Sequence, residues 1–311
     1  MFTTALSKHF LIASLLVFFC PSLQAQNQDP AYIGLFDFNN QLNTGLKYKD
    51  LEVRFFADGK EAFSFSNSNL GFSLGGRIGK FGLSYTFPLA DLGTSTANQG
   101  RNSGLNLQFF RPNFFLQLSG QRVTGFQAGA AADDFRADVK LSDLTLYGFR
   151  VENPKLSLRA AFRNNRQQLI SQGSWLKALS LNYQVLNADS IAFPRAEQPD
   201  FAIDRYQQYE LGFGLGYAYT FVLKSDFYIT PVAVIGPEFR LIRFRDQRDQ
   251  SKDEIFRLSP RFRGRLAFGQ NGERLYWSIT YSLLPGIATS NRLNSRLQDN
   301  LVRLRLGWRF S

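Results

Sequence analysis

Leu301-Val302-Arg303-Leu304-Arg305-Leu306-Gly307-Trp308-Arg309-Phe310-Ser311 is the stretch that decides the fold of this 311-residue chain. Val302, Leu304, Leu306, Trp308 and Phe310 share one parity, and Arg303, Arg305 and Arg309 share the other with Gly307. Residues two apart in a strand lie on one face. One face is therefore aliphatic and aromatic, and the other carries guanidiniums. The run just upstream has the same design. Leu275, Trp277, Ile279, Tyr281 and Leu283 alternate with Tyr276, Ser278, Thr280 and Ser282. Before it, Phe256, Leu258, Phe262, Leu266 and Phe268 alternate with Arg257, Ser259, Arg261, Arg263 and Arg265, and Asn271-Gly272 supplies a hairpin turn between the two runs.

Further upstream the unit recurs. Leu70–Ile78 and Phe81–Phe87 flank Gly79-Lys80, Leu105–Phe109 and Phe114–Leu118 flank Pro112-Asn113, and Leu211–Phe221 turns at 224–226 into Phe227–Arg245. A third hairpin is expected from Leu144–Val151 and Leu156–Phe162 around Glu152-Asn153-Pro154-Lys155, followed by a strand at Gly173–Leu186. Leu51–Ala57 and Ala62–Ser66 are weak strand candidates. Residues 89–103, 127–139, 187–207 and 285–299 are polar and read as long loops. Short turns at one end and long loops at the other suit a membrane barrel.

A soluble sandwich would also alternate, so strand length and residue type must decide. These runs reach about ten residues, against a mode of ~5–6 in soluble sheets and ~9–11 for tilted membrane strands. Trp277, Tyr281, Trp308 and Phe310 suit interfacial aromatic girdles. The polar face is Gly, Ser, Thr and Arg, small enough for a narrow lumen with arginines inside it. The sequence thus predicts an all-β transmembrane antiparallel barrel of twelve strands, with fourteen as the alternative. The closing run looks like the last strand of bacterial outer-membrane barrels, where a terminal aromatic serves as the assembly signal. That implies outer-membrane lipid and the barrel assembly machinery as partners. About thirteen candidates conflict with the even number a barrel needs. The conflict falls in 165–207, where counts from the two ends of the chain disagree.

Residues 1–25 read as a cleaved signal peptide, with Lys8, the apolar Phe10–Phe19 and a cleavage end at Leu23-Gln24-Ala25. Residues 26–50 read as a periplasmic lead and 51–311 as the barrel. His9 and Cys20, the single His and Cys, leave with the signal. The mature chain then cannot use a Ser-His pair, a Cys nucleophile or a His/Cys zinc site. No cofactor or metal is expected, and no enzyme activity. The charge of +11 sits on strand arginines rather than on a nucleic-acid module, so nucleic acid is not an expected partner.

Arg257, Arg261, Arg263, Arg265, Arg303, Arg305 and Arg309 are the candidate lumen residues, with an anionic solute as their partner. If the apolar parity faces lipid, they face inward, because Arg at mid-membrane on the lipid side costs roughly 2–4 kcal/mol. Such a lumen would favour anions. The plainer reading pairs them with lumenal acids in a plugged barrel. Asp133-Asp134 beside Phe126, Arg136 and Asp138 lacks calcium-loop spacing. Gln167, Gln168, Ser171 and Ser174 read as hydrogen-bonding loop or strand residues, and Ser174 with Lys177 is a remote nucleophile–base pair.

Ser157-Leu158-Arg159-Ala160-Ala161-Phe162, Gln168 and Ser171-Gln172-Gly173-Ser174 resemble the signature of a Bacteroidota family defined as domain of unknown function 4421. Asn69-Leu70-Gly71, Phe81-Gly82-Leu83-Ser84 and Gly216-Tyr217-Ala218-Tyr219-Thr220 fit it in the same order. The resemblance implies an exported outer-membrane barrel over most of the mature chain, and no reaction or substrate. Two other functions stand beside a narrow or plugged pore or scaffold: an outer-membrane hydrolase using carboxylates alone, and a soluble periplasmic β protein.

Overall fold

The computed structural model describes residues 28–38, 40–57, 60–89, 100–129, 134–192, 202–246, 252–284 and 294–311. The expected signal peptide, 1–25, lies outside them. Twelve strands close into one antiparallel barrel: β2 (Asn40–Ala57), β3 (Lys60–Ile78), β4 (Phe81–Pro88), β5 (Arg101–Arg111), β6 (Phe114–Ala128), β7 (Phe135–Val151), β9 (Gln172–Ala192), β10 (Ala202–Val222), β11 (Phe227–Asp246), β12 (Lys252–Asn271), β13 (Leu275–Leu284) and β14 (Asn294–Phe310). The seam joins β14 to β2, with Phe310 opposite Asn40 and Asn294 opposite Phe56. The turns after β3, β5, β10 and β12 are short and gather at the seam's Asn40–Phe310 end. A separate two-stranded sheet pairs β1 (Ile33–Gly34) with β8 (Gln167–Gln168).

Two expectations are corrected. Leu156–Phe162 is not a strand. Leu158–Arg163 is a short helix, α1, and β7 pairs directly with β9 across the 152–171 connection. Removing that strand, with Ala62–Ser66 and Leu70–Ile78 joined in the single strand β3, leaves the twelve of the barrel and ends the conflict in 165–207. Leu51–Ala57 is the far half of β2, which begins at Asn40, so the barrel starts before the boundary expected at 51. The strands also run into segments expected to be loops, since β7 begins at Phe135, β9 reaches Ala192 and β14 begins at Asn294.

Those extensions were hard to read because the alternation inverts along the barrel. Near the short turns the outward parity is apolar and exposed: Leu42, Leu46 and Tyr48 on β2, Leu70 and Leu74 on β3, and Val302, Leu304, Leu306 and Trp308 on β14. This belt is a lipid-facing surface. It makes the barrel a membrane-spanning one and counts against the soluble alternative. Beyond Tyr48 the outward residues of β2 become Asp50, Glu52 and Arg54, and the inward ones become buried Leu51, Val53 and Phe55. The switch falls at one level on neighbouring strands, because Asp50 pairs with Ser68 on β3 and with Asn300 on β14. A strand of 21 residues such as β9 spans roughly 50 Å along the barrel axis at ~3.3 Å per residue and ~40° tilt. The apolar band of a membrane barrel needs about 25 Å. The remainder stands outside the bilayer as a water-exposed barrel with an apolar core.

That core fills the bore at the loop end. Phe55, Phe65, Val123, Phe126, Leu141, Leu186, Ile203, Tyr206, Ile242 and Phe244 pack there. Phe55 meets Tyr206 edge-on at 5.4 Å, and Phe65 meets Phe126 at 6.1 Å. A second apolar cluster, at the short-turn end, joins Leu156 and Leu158 of the plug to Phe110, Phe115, Phe149, Leu176 and Val232 of the wall. Above the short β4–β5 hairpin, β3 pairs with β6 directly through Phe65–Ala128 and Ser66–Gln127.

Candidate functional site: a charged chamber above an internal plug

The plug is the 152–171 segment, folded into the barrel's short-turn end. Leu158, Ala160 and Ala161 of α1 are buried, and the helix ends at Asn164 in the left-handed region, φ 54°. Asn favours that conformation more than most residues because its short side chain bonds locally. Asn164 is fully buried. Its Nδ2 donates to Tyr228 Oη and to Asn271 Oδ1, each at 2.8 Å. Its backbone oxygen accepts from Gln41 Nε2 at 2.9 Å and from Arg309 Nε at 3.0 Å. Tyr228 Oη donates to Ala161 O at 2.8 Å, and Asn271 Nδ2 donates to Ala160 O at 2.9 Å. The carbonyls of Ala160, Ala161, Phe162 and Asn164 thus find donors on the barrel wall.

Gln168 stitches the plug to itself. Its Oε1 accepts from Ser157 N at 2.9 Å, and its Nε2 donates to Lys155 O at 2.8 Å and Ile170 O at 3.0 Å. The lead passes beneath: Lys155 lies over the Tyr32 ring, and Arg309 lies over Phe36 at 3.6 Å. Of the residues that carried the family resemblance, those at 157–162, 168 and 171–174 build the plug and its exit into β9, and those at 69–71, 81–84 and 216–220 lie in the wall strands β3, β4 and β10. Ser174 Oγ accepts from Asn153 N at 2.9 Å and donates to Trp175 O at 2.8 Å. Lys177 pairs instead with Glu152, at 3.2 Å. The two stand an odd number of residues apart on β9 and so on opposite faces, which removes them as a nucleophile–base pair. Ser171 accepts from Val222 N, and Gln167 donates to Asp226.

Between the plug and the apolar core lies a chamber of about 180 Å³. Its lining carries eight basic side chains, Lys47, Lys49, Arg240, Arg261, Arg263, Arg265, Arg303 and Arg305, against four acidic ones, Asp143, Glu210, Glu238 and Asp299. The acids are engaged. Glu238 takes Arg240 at 2.6 Å and also Arg261, and Glu210 takes Arg240 at 3.5 Å. Asp299 takes Lys49 at 3.1 Å, and Asp143 accepts from Asn182 at 2.6 Å and Gln184 at 3.1 Å. Each of the four acids thus has a partner on the chamber wall. Gly212 makes room for Arg261, whose Nη1 would lie 3.2 Å from an added Cβ.

The seven candidate arginines divide. Arg261, Arg263, Arg265, Arg303 and Arg305 line the chamber, with Arg263 stacked 4.0 Å over the Tyr147 ring. Arg257 does not line it. It pairs in register with Arg240 nearer the loop end. Arg309 does not face it either. It is 1% exposed and clamps Asn164 O, Gly272 O and Glu273 O. Sequence parity missed Arg240, Glu210 and Glu238, although Glu238 and Arg240 share one parity on β11 just as the Arg257–Arg265 run does on β12. The plug's own arginines were missed as lumen groups. Burial beside Arg166 and Arg77 pushes Arg159 down to about 9. Burial, then Arg305, Arg303 and Arg265, hold Arg163 well below the ordinary guanidinium range.

Of the four girdle aromatics, Trp308 and Phe310 stack at 5.2 Å on the outer face, Tyr281 is exposed, and Trp277 packs against Phe268 at 5.3 Å and Phe227 at 6.1 Å. Phe126 is buried in the loop-end core, while Arg136 pairs with Asp138 at 2.7 Å. Among the described residues no group of His, Cys, Asp and Glu could hold a metal. Asp133 lies outside them.

No curated protein matches the chain. Among solved structures it is similar to the outer membrane protease OmpT of Escherichia coli, at 8% identity and TM-score 0.42, over 93% of this chain and 100% of that one. It is also similar to the translocator domain of the autotransporter NalP of Neisseria meningitidis, at 12% identity and TM-score 0.44, over 98% and 97%. A third is the COG4313 outer membrane channel of Pseudomonas putida F1, at 12% identity and TM-score 0.39, over 91% and 99%. A family model, domain of unknown function (DUF4421), matches residues 27–310, and the chain belongs to that family.

Proposed function

We propose that this protein is an outer-membrane barrel that rests as a plugged, closed vessel with an arginine-lined lumen, and that any solute it admits is anionic. The observation that carries the reading is the chamber between two seals, in which basic side chains outnumber acidic ones two to one. The apolar belt supports a bilayer location, and the signal-like 1–25 supports export to the outer membrane. Trp277, Trp308 and Phe310 then sit as interfacial aromatics near the short turns and Tyr281, level with Tyr48, at the other edge of the belt, and β14 presents the aromatic face that the assembly machinery would read.

The seals differ in kind. The loop end is closed by packed rings, and the short-turn end by a hydrogen-bonded insert on a covalent tether. The insert is the seal that can be displaced without unpairing strands of the barrel. The test is conductance in planar bilayers. Wild-type protein should be silent, and any current released by Asn164→Ala, which loosens the insert, should reverse on the anion side in a KCl gradient. Ohmic conductance from wild type, or cation selectivity in either form, would sink the reading.

A further inference from the structure

The chamber's charges are unevenly distributed along the barrel axis. The paired groups, Glu210, Glu238, Arg240, Arg261, Lys49 and Asp299, lie toward the loop end. Toward the plug, Arg265 of β12, Arg303 and Arg305 of β14 and Arg163 of α1 converge. All four line one cleft of about 30 Å³ between the helix and the wall. Arg265, Arg303 and Arg305 also line the chamber above, so the cleft is its floor.

None of these four pairs with a carboxylate among the described residues. Their partners are neutral. Arg305 Nη1 donates to Phe162 O at 2.9 Å, Arg265 Nε to Ser282 Oγ at 3.2 Å, and Arg163 Nη2 to Gln117 Oε1 at 3.3 Å. The Nε atoms of Arg303 and Arg163 are buried without a partner. Each guanidinium has five donors in a planar fork, so most of them stay uncommitted. The floor is aromatic: Arg265 stacks over Phe162 at 5.2 Å, and Arg163 over Phe110 at 5.7 Å and Phe115 at 5.8 Å. Like charges held together over rings repel strongly, because the local dielectric is low. A counter-charge placed among them relieves that repulsion.

The four forks come from three separate elements and approach from different directions. That arrangement suits a tetrahedral dianion better than a flat carboxylate, which one fork satisfies. We propose that Arg163, Arg265, Arg303 and Arg305 form a binding site for a tetrahedral oxyanion of the phosphate class, free or as a small phosphomonoester. Arg163 belongs to the plug and the other three to the wall, so the bound anion ties one to the other and locks the seal. The inference rests on the lumenal reading of the arginine face given above.

The probe is inorganic phosphate, titrated calorimetrically into the folded, detergent-solubilised full chain at constant ionic strength set with chloride. Saturable binding is expected, with glycerol phosphate as competitor showing whether an ester is also accepted. Arg303→Gln and Arg265→Gln should each weaken binding about tenfold or more, the loss expected for one charged hydrogen bond. Arg257→Gln, on the same strand as Arg265 but outside the cleft, should leave it unchanged. Gel mobility of unboiled samples shows that each variant is folded. In Asn164→Ala, phosphate should slow tryptic cleavage of the plug. No saturable heat, or an equal loss in the Arg257 and Arg303 variants, would overturn the site. A silent barrel that fails to bind phosphate overturns the site and leaves the plugged vessel. A barrel that binds phosphate yet conducts freely as wild type overturns the closed vessel and leaves the site.

Discussion

Asn164 ties four strands to the plug, through Gln41 of β2, Tyr228 of β11, Asn271 of β12 and Arg309 of β14. Asn164→Ala keeps the backbone oxygen but loses both Nδ2 bonds and puts a Cβ-bearing residue without a local acceptor at positive φ. The expected loosening of the plug is about 2–4 kcal/mol. Asn164→Gly loses the same bonds without the conformational cost and should loosen it by roughly half as much. Limited trypsinolysis after Arg159, Arg163 and Arg166 reads the difference. Cleavage should be fastest in the alanine variant, intermediate in the glycine variant and slowest in wild type, and equal rates would show that Asn164 does not anchor the plug. At this scale the sequence was half legible. Parity along β12 and β14 put five arginines where the chamber is. It could not tell that Arg309 is used up by backbone carbonyls, because those carbonyls arrive from residues 164, 272 and 273.

Elements were legible wherever one rule of alternation held for the whole strand. β10 shows this best, since Leu211 through Phe221 keep their apolar parity outward throughout the bilayer section. β2 obeys two rules in succession, with Leu42, Leu46 and Tyr48 outward and then Leu51, Val53 and Phe55 inward, so a single-period reading sees only a weak strand. α1 has six residues, less than two turns at ~3.6 residues each, and carries no usable helical period. The inversion makes a paired prediction. Leu304→Arg, outward in the apolar belt, should cost about 2–4 kcal/mol, while Ser68→Arg, outward beside Asp50 beyond the belt, should stay within about 0.5 kcal/mol. Phe55→Ala, inward in the loop-end core, should cost about 3–5 kcal/mol. Urea unfolding in lipid vesicles, followed by tryptophan emission, measures all three. A mild Leu304→Arg or a severe Ser68→Arg would place the bilayer elsewhere on the barrel.

For the whole molecule, ring closure is what the sequence conveyed most securely and compartmentation what it conveyed least. Twelve strands followed from counting once the plug is set aside, and closure followed from an outward face that needs lipid. Two seals and a chamber depend on which inward residues meet across the bore, and those meetings join strands far apart in the chain. Unboiled protein should migrate differently from boiled protein on a denaturing gel, because a closed barrel resists the detergent until heated. Phe55→Ala should lower the temperature at which that shift is lost, and identical mobility in wild type before and after boiling would argue against closure.

The carbonyl of Asn164 accepts from the first barrel strand and from the last, across sequence separations of 123 and 145 residues. Contacts that distant form late, since the chain must lose the entropy of bringing both ends together before either bond is gained. The hairpins can form locally, but the oxygen is doubly satisfied only when β2 and β14 arrive together around an insert already in place. Seating the plug and joining the two ends of the sheet are thereby coupled steps. A barrel that tries to close empty leaves Gln41 without the Asn164 carbonyl and Arg309 with only the acceptors of the β12–β13 turn, and it is slowed at its last step.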